Sequence, residues 1–128
     1  MAAAGAALDA GDPARATECF IDYWMGPGAW RQTPEARKAP IAASVANVRG
    51  WAAPLIHEPT PLASLAALDL PVLCMVGRAS PASSRGVARL LAVALRRVEV
   101  IEFEGMGHRS PITHPSRVNE AIARFLSN

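Results

Sequence analysis

Apolar positions in the first half of the chain recur with helical spacing. Ala16, Cys19, Phe20, Tyr23 and Trp24 fall at i, i+3, i+4, i+7 and i+8, one face of a helix. Asp12-Pro13 supplies an N-cap and a proline at the first helical position, and Gly26-Pro27-Gly28 stops the run. Thr33-Pro34-Glu35 opens another helix, expected to be short because Pro40 interrupts it. Ile41, Val45, Val48, Ala52 and Leu55 then keep helical spacing to about His57. Thr60-Pro61 starts a further short helical turn that runs to about Leu65. No strand pattern precedes residue 70.

The pattern then changes. Pro71 to Val76 is a continuous apolar run of strand length closed by Gly77, and unbroken apolarity predicts a parallel strand covered on both faces. Ser80-Pro81 opens a helix, with Ser80 as its N-cap. In that helix Val87, Leu90, Leu91 and Ala94 share one face, while Arg85, Arg89 and Arg96 share the other. Val98 to Phe103 reads as a half-exposed strand, because Glu99 and Glu102 interrupt it. A turn, Glu104-Gly105-Met106-Gly107-His108, follows. Pro115 starts a last helix with Val118, Ala121, Ile122 and Phe125 inward. Strand, helix, strand is a right-handed βαβ unit, so the fold class is α/β: a helical segment over residues 1–60, then a βαβα portion over 61–128.

Two parallel strands make a poor sheet by themselves, and a strand as apolar as PVLCMV calls for a neighbour on each side. The second strand is one neighbour. The helical half offers no other, so the chain reads as the C-terminal piece of a larger parallel sheet, or as one whose open edge takes a partner chain or its own copy.

Composition narrows the function classes. With 51% hydrophobic and 19% charged residues among 128, the chain is globular. The net charge of +2 comes from scattered residues, Arg in every case but Lys38, so nothing tracks phosphates and no nucleic-acid partner is expected. Cys19 and Cys74 lack motif spacing and read as core thiols, which makes a reducing cytoplasm the default. The start, MAAAGAALDAGD, lacks the features of a signal peptide, and no run is long enough to span a membrane.

The stretch "LDLPVLCMVGRASP…ARLLAVALRRVEVIEFEGMGHRSPITHPSRVNEAIARFL" resembles the C-terminal portion of α/β-hydrolases, and "CFIDYWMGPGAW" resembles the helical cap of some members. Together they cover roughly residues 15 to 127. The resemblance implies hydrolysis of an ester or related activated bond in an apolar small molecule, without a cofactor. His108, just past the last strand, would be the general base. Ser80 stands where many members carry the acid. Asp69 lies at the wrong end of its strand, and Glu104 adjoins the histidine's own turn. Trp30, Trp24 and Met106 are the candidate substrate-contacting residues. Trp30, expected on a loop, is the best lid candidate, with packing between helices as the alternative for the whole Tyr23, Trp24, Met25, Trp30 and Trp51 group. No G-x-S-x-G elbow occurs. The resemblance therefore puts nucleophile and oxyanion hole outside these residues, and the chain alone is expected to be inactive. His114 reads as a helix-start residue and His57 as a helix-end residue favoured by the dipole. No histidine pair has zinc-ligand spacing.

Overall fold

The computed structural model describes residues 2–127, apart from the side chain of Arg49. The chain divides into two compact units, Met1–Pro59 and Thr60–Asn128.

The first unit is helical: α1 (Ala2–Asp9), α2 (Pro13–Met25), α3 (Ala29–Gln32), α4 (Glu35–Val45) and α5 (Val48–Ile56). The Asp12 side chain accepts the Arg15 N–H at 2.9 Å, so the expected cap starts α2, and Gly26 ends it. The alanine-rich start folds as α1, which has no amphipathic pattern to announce it. Its Ala7 joins Ala16, Val45 and Val48 in a small core, with Leu8 and Phe20 against it. Pro40 does not interrupt its helix but sits inside α4. The break comes at Ala46-Asn47 instead, and the long apolar run divides there into α4 and α5. Nor does Thr33 cap α4, since its hydroxyl donates back to the Ala29 carbonyl at 3.0 Å.

The second unit is mixed α/β. After a 3-10 turn, Leu62–Ala67, come β1 (Val72–Gly77), α6 (Ala82–Ala94), β2 (Val98–Phe103), a one-turn α7 (Ser110–Thr113) and α8 (Pro115–Leu126). The strands pair in parallel, Val72 opposite Val98 through Gly77 opposite Phe103, as a two-stranded sheet. Phe103, Met106, Val118 and Ala121 form the core beside it, with Met75, Ile101 and Ile122 packed on. This core follows the stripe expected of the last helix.

Two expectations change here. β1 is not covered throughout: only Val76 and Gly77 are buried, and its first four residues are half-buried. The cause is the missing neighbour, since among the described residues no strand pairs its other edge. For the same reason the apolar stripe of α6 is only partly used. Ala88 is buried, whereas Val87 and Leu90 are each 55% exposed. Ser80 is not the N-cap of α6 either, because the helix starts at Ala82 with Pro81 as its cap residue.

Candidate functional site

The segments that leave β1 and β2 at their C-terminal ends are fastened to each other. Arg78 N–H donates to the Phe103 carbonyl and Ala79 N–H to the Met106 carbonyl, both at 3.0 Å. This contact is possible because residue 77 is glycine. A β-carbon there would lie 2.2 Å from the Met106 oxygen and 2.6 Å from its carbonyl carbon. Gly105 serves differently, with φ +67°, a left-handed conformation that glycine adopts without penalty. Gly107 needs neither exemption, since a β-carbon there would meet its nearest atom, the Ala79 oxygen, at 3.8 Å.

Met106, between these glycines, is 1% exposed and packs with Phe103, Val118 and Ala121. The turn thus drives one side chain into the core and leaves His108, two residues further on, exposed. Met106 supports the histidine's backbone and offers no surface to a substrate, contrary to the expectation for it. Below His108 the turn is closed by Ser110, whose buried hydroxyl donates to the Gly107 carbonyl.

His108 and Ser80 line the same groove, of about 430 Å³, together with Val76, Gly77, Val87 and Val118. The walls are mostly apolar, and Ser84 and Ser110 add hydroxyls. Sequence reasoning placed Ser80 and His108 at this end of the sheet but missed Ser84 and Ser110, which no motif marks. No carboxylate is among the groove's lining residues. Glu104 instead pairs with Arg78, whose guanidinium also donates to Glu102 at 3.0 Å. The hydrogen bond to Glu102, then the charge of Glu104, raise the Arg78 pKa above its ordinary value. Asp69 lies at the opposite end of β1, 3.9 Å from Arg97.

The tryptophan candidates belong to the first unit. Trp24 packs edge-on against Tyr23 and Phe20, at ring-centroid distances of 5.1 and 6.4 Å. Trp30 is not on a loop but in α3, where the Lys38 ammonium stands 5.6 Å from its ring centre. The residue that fixes this segment, Asp22, was not foreseen. Its carboxylate accepts the Trp30 N–H at 2.8 Å and the Gly28 N–H at 2.9 Å, tying GPGAW back to the last turn of α2. The Trp30 N–H, ahead of that from Gly28, holds the Asp22 carboxyl below its usual pKa, against the opposing effect of burial.

His57 ends α5, its Nδ1 2.9 Å from the Ala53 carbonyl, and His114 stands at the junction of α7 and α8, its Nδ1 2.8 Å from the Thr113 hydroxyl. Both occupy the helix-terminal places that their local sequence suggests. Among the described residues there is no cluster of three or more His, Cys, Asp or Glu that could hold a metal, and no helix long and apolar enough to cross a membrane. Compared with family models and with curated protein sequences, the chain matches none.

Proposed function

We propose that the second unit is the histidine-bearing part of an α/β-hydrolase-like core and that Met1–Pro59 is its helical cap. The activity would be hydrolysis of an ester or related activated bond in an apolar small molecule, in the cytoplasm. One observation carries the reading. The turn after β1 and the turn after β2 are fastened together at the C-terminal end of a parallel sheet, where α/β folds place their ligands, and they present His108 and Ser80 to one apolar groove. His108 is the general base. Ser80 can orient its ring but cannot stabilise the imidazolium as a carboxylate would. Nucleophile and oxyanion hole are supplied from outside these 128 residues. Free Cys19 and Cys74 agree with a reducing compartment.

The test is to translate the DNA in frame upstream of the Met1 codon and to assay p-nitrophenyl ester hydrolysis with and without that segment. The expected result is a nucleophile elbow upstream and turnover only when it is present. His108→Ala should then lower kcat by about 10²–10⁴-fold. Turnover by the chain alone, or turnover indifferent to His108→Ala, overturns the proposal.

A second reading is favoured by the two-stranded sheet itself: a non-catalytic module whose open β1 edge binds a protein chain. A stop codon closing the upstream frame would move this reading ahead, whereas a separate polypeptide that restores activity on mixing would favour a split hydrolase.

A further inference from the structure

The groove beside β1 is graded in polarity from one end to the other. In a βαβ unit the helix runs back along the strand, so the C-terminal end of β1 lies beside the first turn of α6. Ser80, Ser84 and His108 therefore gather at one end of the groove. Cys74, Met75 and Leu91 line the other, with Val87 between. Among the described residues that line it, none is Lys, Arg, Asp or Glu. Its length follows from the elements: β1 rises about 10 Å from Cys74 to Gly77, and α6 about as much from Ser84 to Leu91.

The polar end is unfinished. Ser80 is 6% exposed, and its N–H donates to the Gly77 carbonyl at 2.9 Å, but its hydroxyl meets no partner among the described residues. The same holds for the hydroxyl of half-buried Ser84. Ser110 differs, since its hydroxyl donates to the Gly107 carbonyl. Polar groups as deep as Ser80 are as a rule hydrogen-bonded, because leaving one unpaired is costly. A hydroxyl both donates and accepts, so Ser80 and Ser84 suit a neutral oxygen of a ligand. A carboxylate would lose its water with no Lys or Arg in the walls to compensate.

We propose that the groove binds a straight aliphatic chain of medium length, with a neutral oxygen at its head against Ser80 and Ser84 and its tail running toward Leu91. An extended chain advances about 1.2 Å per bond, so the groove takes about eight carbons. At about 30 Å³ for each small group, such a chain fills roughly 270 Å³. The groove of about 430 Å³ holds it and leaves space at the His108 end for the rest of an ester. The inference deepens the hydrolytic reading and rests on it for the reaction alone, where the substrate becomes a neutral ester of a medium straight chain. Binding itself requires only the groove.

Titration of the 128-residue chain with butanol, hexanol and octanol, all straight-chain primary alcohols, tests this by amide proton–nitrogen correlation spectra. At about pH 8 a free imidazole is uncharged, so the head group is compared without a cation at His108. Shifts are expected at Ser80, Ser84 and Leu91, with the Trp30 signal of the first unit unmoved. Affinity should rise about two- to fourfold for each added methylene. Octanoate should bind at least about tenfold more weakly than octanol. Octanediol should also bind more weakly, because its second hydroxyl lands at the apolar end. Ser80→Ala should weaken all three alcohols by a common factor of about two to ten. Leu91→Trp, which fills the far end, should weaken octanol and spare butanol. The chain-length series needs no variant. Affinity indifferent to chain length overturns the inference, as does octanoate binding as tightly as octanol or a Ser80→Ala chain that binds unchanged. Absence of groove shifts with any alcohol leaves the groove to a protein strand and overturns it too. Alcohol binding that persists while no ester is hydrolysed, once an upstream segment is supplied, would count against the hydrolytic reading alone.

Discussion

Replacing Gly77 by alanine tests whether the two turns beneath His108 are one piece of structure. The added methyl carbon would sit 2.2 Å from the Met106 oxygen and 3.0 Å from that of Gly107. Both atoms are backbone, so no rotamer change relieves the overlap. Forcing a methyl group into packed structure costs about 1–3 kcal/mol. The displacement also strains the Arg78–Phe103 and Ala79–Met106 hydrogen bonds, each contributing about 1 kcal/mol. The expected loss is therefore about 2–4 kcal/mol, and with a urea dependence of about 1–2 kcal/mol per molar the unfolding midpoint falls by more than about 1 M. The reporter has to be chosen with care. Trp24, Trp30, Trp51 and Tyr23 all precede residue 60, so indole fluorescence follows the first unit alone. Amide hydrogen exchange at Cys74, Val76 and Ile101 follows the second. Gly77→Ala should accelerate exchange there and leave the fluorescence transition unmoved. Gly105→Ala, strained by φ +67° but otherwise unobstructed, should cost about 1 kcal/mol, and Gly107→Ala less than that. Equal effects of Gly77→Ala and Gly107→Ala would refute the reasoning.

Asp22 should give the first unit an acid-sensitive segment. Its carboxyl pKa is lowered in the folded chain, so its contribution is complete above the unfolded value and is lost as pH falls through the folded one. Tryptophan-monitored stability should therefore decline below about pH 4. Asp22→Ala should remove about 1 kcal/mol at neutral pH and flatten that decline, and an unchanged pH profile would count against the cap. Met106→Ala should destabilise the second unit by about 2–4 kcal/mol, measured by hydrogen exchange, because it empties a core position. In an active assembly the same substitution should leave the ranking of ester chain lengths unaltered. A shifted ranking would return Met106 to the substrate surface.

Local rules were sufficient for much of this chain. Asp12 with Pro13 and Gly26 bounds α2, and the unbroken apolarity of VLCMV against the interrupted pattern of VEVIEF marks β1 and β2, because cap chemistry and side-chain period act over one or two turns of chain. The same local signals place a histidine just past the second strand and expose the want of a third strand. What they do not contain is contact between distant segments. Gly77 reads as a turn glycine, and only the approach of the Met106 carbonyl shows that it makes room for another backbone. Asp22 reads as one more polar residue of an amphipathic helix, until GPGAW folds back onto its carboxylate. Pro40 reads as a breaker, yet it is accommodated within α4, whose Val45 is held in the core by Ala7, Ala16 and Val48. Met106 and His108, two positions apart in one short turn, are sent to opposite environments by the left-handed Gly105 and the core under Phe103. Which residue of a turn is buried depends on what packs beneath it, and that depends on the tertiary structure.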